Sequence, residues 1–248
     1  MPISKNFSSI LTKDWEINFL QCYPNGYLKY TDLCNILQLT AGVHAEVGGI
    51  SFSDMQEHCQ AWVLSRMRVE IKRLPKWRDN VRVKTWINSL ENSRSIRCLE
   101  VYIGEEKIVG CETFWAVFNT QTRRPESLAL VHEHFEKYPN DKATEIQFSK
   151  IDTTIDTAII AEKKVLLSDL DIVNHANSVK YLEWCLDYLE PKLLLNQGLE
   201  SFEMNYLKEV SLGETISIEK SLLDNPTTFA ANIDNKTCFA LKLDWKIV

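Results

Sequence analysis

The chain states one order of elements twice, and that repetition limits its fold more than any single motif. Val69 to Val83 reads VEIKRLPKWRDNVRV, and Met204 to Ile218 reads MNYLKEVSLGETISI. Aligned without gaps, Trp77 matches Leu212, Asp79 matches Glu214, Val81 matches Ile216 and Val83 matches Ile218. A charged turn before an alternating strand is a common pattern. The order of elements around it strengthens the case for a duplication.

In the first half, Asp14 to Tyr23 alternates like a strand, and Pro24-Asn25-Gly26 is a turn signal. From Tyr27 to about Glu46 the apolar residues Leu33, Ile36, Leu37, Ala41 and Val43 recur at helical spacing, with Gly48-Gly49 as a stop. Strand-like runs follow over 61–74, 80–90, 95–103 and 107–119, with Gly104-Glu105-Glu106 as a hairpin turn. The second half repeats this. A strand at 159–167 leads into a polar loop at 169–177. A helix follows over 178–195, carrying Val179, Leu182, Leu186, Leu189 and Leu193, and then strands at 200–210, 214–223, 227–233 and 238–247. Residues 120–157 are polar and contain prolines, which predicts a crossover between two similar units. The expected division is 1–125, a linker at 126–157, and 158–248. Each unit is a helix laid on one face of an antiparallel sheet, an α+β layer design, and two copies can pair edge strands into one sheet.

No apolar run approaches the ~18–20 residues of a membrane-spanning helix. The first fifteen residues lack the apolar core of a secretory signal, so a cytoplasmic protein is expected. Seven scattered cysteines, with no CxxC pair, point to reduced thiols and give no zinc spacing. His132-Glu133-His134 is too short for a helical metal motif and is expected to lie in a loop; no metal is expected. The net charge of −6 is uneven: ten Lys/Arg and three acids between Gln60 and Cys98 put +7 there and −13 elsewhere. This predicts a basic face for an acidic partner. No nucleic-acid motif accompanies it.

Ser168 to Cys185, SDLDIVNHANSVKYLEWC, closely resembles the signature of acyl-acyl-carrier-protein (acyl-ACP) thioesterases. Ala61 to Trp77 resembles that family's first-repeat strand. Gly110 to Pro125, with Phe114-Trp115 and Thr122-Arg123-Arg124, resembles the strand and basic turn that close the repeat. Phe202 to Gly213 resembles the strand carrying the family's glutamate. The resemblance implies a tandem hot-dog fold, two helices each wrapped by a curved antiparallel sheet, and hydrolysis of fatty acyl-ACP with no cofactor. It places Asp171, His175 and Glu209 on the family's catalytic Asp, His and Glu. The family's Asn, two residues after the Asp, falls on Val173, so Asn174 is the candidate to replace it. Where some plant members carry a Cys after the Glu, this chain has Val210.

Thioester hydrolysis needs an activated water, a held carbonyl and donors aimed at the oxyanion. Glu209 or Asp171 could be the base, or Asp171 could attack directly and form an anhydride. A donor from the helix entrance, His175 to Asn177, is expected to polarise the carbonyl. Tyr181 and Trp184 are expected as core packing. The first repeat has Pro24-Asn25-Gly26-Tyr27 at the matching turn and is expected to bind substrate. Leu33, Ile36, Leu37, Leu39, Trp62, Leu64 and Met67 would line its acyl channel, with Asn177 as a further substrate contact. Arg73, Lys76 and Arg78 are the expected docking residues for acyl carrier protein. The alternatives are an acyl-CoA thioesterase, a 3-hydroxyacyl dehydratase and a non-catalytic acyl-thioester-binding protein. Monomer and homodimer both fit.

Overall fold

The computed structural model describes residues 3–223 and 225–246. It divides into two units, Met1–Ser65 with Lys72–Gln147, and Arg66–Ile71 with Phe148–Val248.

In the first unit, β1 (Ile10–Glu16), β3 (Asn80–Glu91), β4 (Arg94–Ile103) and β5 (Glu106–Asn119) pair antiparallel in that order, and the two-residue β6 (Arg124–Pro125) adds to β5. Val81, Val83 and Ile87 of β3 are buried, as the period-2 pattern requires. Gly104, at φ +59°, opens the two-residue turn between Ile103 and Glu106, where a hairpin calls for glycine. Helix α1 (Tyr30–Val47) buries Leu33, Ile36, Leu37, Thr40, Ala41 and His44. Leu39 falls on the opposite face and is 56% exposed, so it cannot line an internal channel. The short α2 (Phe52–Gln56) follows, capped reciprocally by Ser51 and Asp54. The strand expected over 14–23 ends at Glu16. Asn18 then caps a 3₁₀ turn at Phe19–Gln21, because its side chain accepts the Leu20 N–H.

Residues 120–147, within the expected polar crossover, are largely exposed but carry apolar anchors. Leu128 and Phe135 join Ile50, Met55, Ile87, Leu90 and Val117 in one buried cluster. Phe135 lies so close to Gly48 that a Cβ there would sit 2.1 Å from the ring.

In the second unit, β8 (Leu199–Tyr206) pairs with Arg66–Glu70 of β2 (Gln60–Ile71) on one side and with β11 (Lys236–Trp245) on the other. β11 pairs with β10 (Thr227–Ile233), β10 with β9 (Thr215–Ser221) and β9 with β7 (Thr157–Lys164), all antiparallel. The last strand's expected end, Ile247, lies outside the described residues. Helix α3 (Ser178–Leu186) has nine residues and stops well before the expected Leu195. Pro191 has no N–H to donate to a continuing ladder and disfavours helical backbone at Glu190, and the chain turns before a separate single turn at Leu193–Gln197 that Gly198 closes at φ +77°. On β8, the buried side chains of Glu203 and Asn205 tie down the incoming segment. Asn205 accepts the Ile151 N–H at 2.9 Å and donates to the Ser149 carbonyl at 3.1 Å, and Glu203 accepts the Ser149 N–H.

Each unit builds its helix entrance with the same hydrogen bonds. Tyr23 N–H to Tyr27 O (2.8 Å) corresponds to Asp171 N–H to His175 O (2.9 Å). Leu28 N–H to Pro75 O (2.9 Å) corresponds to Ala176 N–H to Val210 O (2.8 Å), and Lys29 N–H to Gln21 O to Asn177 N–H to Asp169 O, both 2.8 Å. Lys76 N–H to Asp79 Oδ2 (2.8 Å) corresponds to Ser211 N–H to Glu214 Oε2 (2.6 Å). The strand registers implied are those of the ungapped sequence alignment.

Candidate active site

The site is built on the second unit's helix entrance. Asp171 opens a tight turn in which its Oδ1 accepts the Val173 N–H at 3.0 Å and the His175 N–H at 3.4 Å. Asn174 takes φ +64°, the left-handed region that Asn tolerates and that Gly26 occupies at +82° in the first unit. This conformation accounts for the residue type at position 174, and its side chain is exposed. Val173 is an outward-facing turn residue, 40% exposed.

His175 then forms a bridge with Ser211, and Ala176 bonds Val210. That pairing draws the segment after β8 alongside the turn. Glu209 was expected on a strand running to Val210. β8 instead ends at Tyr206, and Glu209 sits on the segment beyond it. There its Oε2 lies 3.5 Å from His175 Nε2, with the two side chains 31% and 27% exposed. An imidazole and a carboxylate are therefore within reach of each other and of solvent.

Asn177 is the N-cap of α3. Its Oδ1 accepts the Val179 N–H at 2.9 Å, which directs its side-chain NH2 group elsewhere as a donor. The backbone amides of His175, Ala176 and Asn177 donate to Asp171, Val210 and Asp169. Asp169 is structural: buried, its carboxylate accepts the Leu166 N–H at 2.9 Å and faces Lys163 at 3.6 Å. Tyr181 packs among Trp184, Tyr206 and Phe239 as expected of a core aromatic.

Of the expected substrate-binding residues, Leu37 and Met67 are fully buried. Trp62 is half-buried, packs on the Phe135 cluster and donates to the Ile50 carbonyl at 3.1 Å. Arg73 is paired with Glu106 at 2.8 Å, and Lys72 joins the same carboxylate at 2.6 Å. Those two cations, Lys72 first, hold Glu106 below the usual carboxylate range. Lys76 and Arg78 are exposed, lying 5.0 Å over Tyr27 and 4.5 Å over Trp77. Two of the ten cations behind the expected basic face are inside: Arg68 against Glu70 and Glu203, and Arg97 against His44. Among the described residues no cluster of three or more His, Cys, Asp or Glu could hold a metal. No helix there is long and apolar enough to cross a membrane.

The architecture is that of a double hot-dog protein. A crystal structure of an acyl-ACP thioesterase from Bacteroides thetaiotaomicron superimposes with a TM-score of 0.88, 24% identity, and coverage of 96% of this chain and 98% of that one. The models of the acyl-ACP thioesterase N-terminal and C-terminal domains match residues 8–137 and 152–245, and the chain belongs to the acyl-ACP thioesterase family. A chloroplastic palmitoyl-acyl carrier protein thioesterase of Gossypium hirsutum is 28% identical over 86% of this chain and 55% of its own length. A chloroplastic oleoyl-acyl carrier protein thioesterase of Coriandrum sativum is 27% identical over 77% and 57%. The chain thus spans about half the length of the curated relatives it matches.

Proposed function

We propose that the chain hydrolyses fatty acyl-ACP thioesters to the free acid and the carrier thiol, with the second unit as the catalytic one. The observation that carries this is the 3.5 Å approach of His175 Nε2 to Glu209 Oε2 beside the Asp171 turn, in a member of this family. The carboxylate of Glu209 takes a proton from water, and the oxygen attacks the thioester carbonyl. The Asn177 NH2 group and the imidazole are the nearby side-chain donors suited to the oxyanion. Collapse of the tetrahedral intermediate breaks the C–S bond, and the proton held by Glu209 or His175 goes to the departing thiolate. Asp171 orients: its Oδ1 is engaged by two backbone amides, which favours the water route over attack by this carboxylate. In the same reading Leu37 and Trp62 of the first unit contact the acyl chain, and Lys76 and Arg78 meet the acidic carrier.

A cytoplasmic location is part of the proposal. It is supported by seven unpaired cysteines, which call for a reducing compartment, although the plant relatives are chloroplastic. The test is thiol release from acyl-ACP and acyl-CoA panels of equal chain length, using wild type, Asp171→Ala and Glu209→Gln. Loss of turnover in both variants, with acyl-ACP the better substrate, is expected. Wild-type rates in Glu209→Gln would refute the site, and preference for acyl-CoA would refute the substrate.

A further inference from the structure

The two helix entrances share a hydrogen-bonded frame, and the side chains they expose around it differ. Ile172 and Val173, 84% and 40% exposed, are the tip of the Asp171 turn, where the first unit has Pro24 and Asn25. Asn25 serves its turn, because its side chain accepts the Tyr27 N–H at 3.1 Å. In the second unit Asp171 accepts the corresponding His175 N–H at 3.4 Å. Turns favour Gly, Pro, Asn, Asp and Ser, so this frame asks for neither Ile172 nor Val173. Leu207, 52% exposed, stands two residues before Glu209, where the first unit has Lys72 paired with Glu106 at 2.6 Å. By contrast, Leu212 is matched by a similarly exposed Trp77, and that exposure is common to both units. The bridge between His175 and Ser211 draws the segment that carries Leu207 and Glu209 alongside the turn. The site is thus bordered by exposed aliphatics, two from the turn and one from the segment.

We infer that Ile172, Val173 and Leu207 seat the pantetheine arm of the thioester substrate. The inference deepens the proposed function and rests on it. A carrier-borne acyl group hangs from an arm that is amide-linked for most of its length and bears a gem-dimethyl carbon just before its phosphate. Once the thioester carbonyl lies at His175 and Glu209, the arm is covalently continuous with it and has to cross the border of the site. The gem-dimethyl carbon lies about 10 Å from the sulfur, roughly three residues of extended chain. Two residues of extended chain span at most about 7 Å, which puts the side chain of Leu207 within the same range of Glu209. Covering these aliphatics with that carbon removes apolar surface from water on both partners. The acyl chain is a poorer occupant, because a side chain as open as Ile172 covers an alkyl chain on one side only.

The test measures kcat/KM for one fatty acyl group on acyl-ACP, acyl-CoA, acyl-pantetheine and acyl-N-acetylcysteamine, the last of which lacks the gem-dimethyl carbon. Wild type is compared with Ile172→Ser combined with Leu207→Ser, with thermal melts alongside. Wild type is expected to prefer acyl-pantetheine to the truncated thioester by about tenfold, the worth of re-covering one or two aliphatic side chains. The double variant is expected to lose about tenfold on the three arm-bearing substrates, so that this preference disappears, with a melt close to wild type. Leu207→Lys, which copies the first unit, is a second variant expected to act in the same direction, and Leu207→Met is expected to keep the preference. No preference in wild type, or no loss in the variants, overturns the inference. So does an equal loss on the truncated thioester. A loss confined to acyl-ACP also overturns it and assigns the border to the carrier protein's surface. Failure of the site reads differently: wild-type rates in Glu209→Gln overturn the proposed function, and this inference with it.

Discussion

Acid exposes a buried histidine in the first unit. His44 is fully buried on α1, its Nε2 2.9 Å from the Ser8 carbonyl and its Nδ1 2.8 Å from Arg97 Nη1. The guanidinium can only donate, so Nδ1 is the acceptor and Nε2 carries the proton: the ring is neutral. Burial, then the adjacent Arg97 charge, push His44 down to about 3, against a smaller upward pull from the Ser8 carbonyl. An unfolded histidine titrates near ~6.5. The folded value lies below the unfolded one, so the unfolded chain binds the extra proton as pH falls from 6.5 toward 3. Stability is complete above pH 6.5 and declines below it at about 1.4 kcal/mol per pH unit, or about 2 kcal/mol between pH 7 and pH 5. His44→Gln retains an acceptor for Arg97 and a donor for Ser8 without the titration. Urea unfolding at pH 7 and pH 5, followed by circular dichroism, should show wild type losing about 2 kcal/mol more than the variant over this interval. Carboxylates contribute equally to both proteins and cancel. Equal losses in the two would refute the assignment of a neutral, proton-excluding His44.

Asn174→Gly should leave turnover within about twofold of wild type, because glycine adopts φ +64° freely, while Asn174→Val should cost about 1–2 kcal/mol of stability. A collapse of kcat in the glycine variant would instead assign the amide a chemical role. Removing the buried acceptor in Glu203→Leu leaves Arg68 with Glu70 alone and strands the Ser149 N–H. It should lower stability by about 2 kcal/mol, read from the urea midpoint. Lys76→Glu with Arg78→Glu should raise KM for acyl-ACP about tenfold at low salt and little at high salt, while leaving an acyl-CoA substrate unaffected. A KM change shared by both substrates would exclude carrier docking. Arg73→Glu should have the smaller effect, since Arg73 is already paired with Glu106.

What could be read from the sequence follows the range of each interaction. Strands announced themselves because alternation is local, whereas Asp171 and His175, though they belong to one turn, read locally as cap and loop residues and were singled out by family resemblance. The approach of Glu209 is a product of pairing between Val210 and Ala176, residues far apart in sequence, and came only through family resemblance. The end of α3 was misplaced because Leu189 and Leu193 keep helical spacing across Pro191, where the backbone cannot continue. The packed segment at 120–147 went unseen because Leu128 and Phe135 follow no period. Arg68 and Arg97 counted as surface charge because alternation says which face a residue takes, not whether something covers that face.

The duplication gives a sharper way to sort these residues than any one of those signals. Two entrances with the same turn, the same bridges and the same cap registers must owe them to the fold, so none of these features marks chemistry. Asn174 and Gly26 fall in that class: both serve a left-handed position. Asp79 and Glu214 do too, each accepting the amide three residues earlier. Among the residues that differ are Asp171, His175, Asn177 and Glu209, all in the second unit, where His175 and Glu209 approach to 3.5 Å. A site that needed only the scaffold would have left the first unit equally equipped. Instead that unit puts Tyr27 and Leu74 at the positions of the imidazole and the carboxylate, so it has no acid–base pair at that point of its entrance.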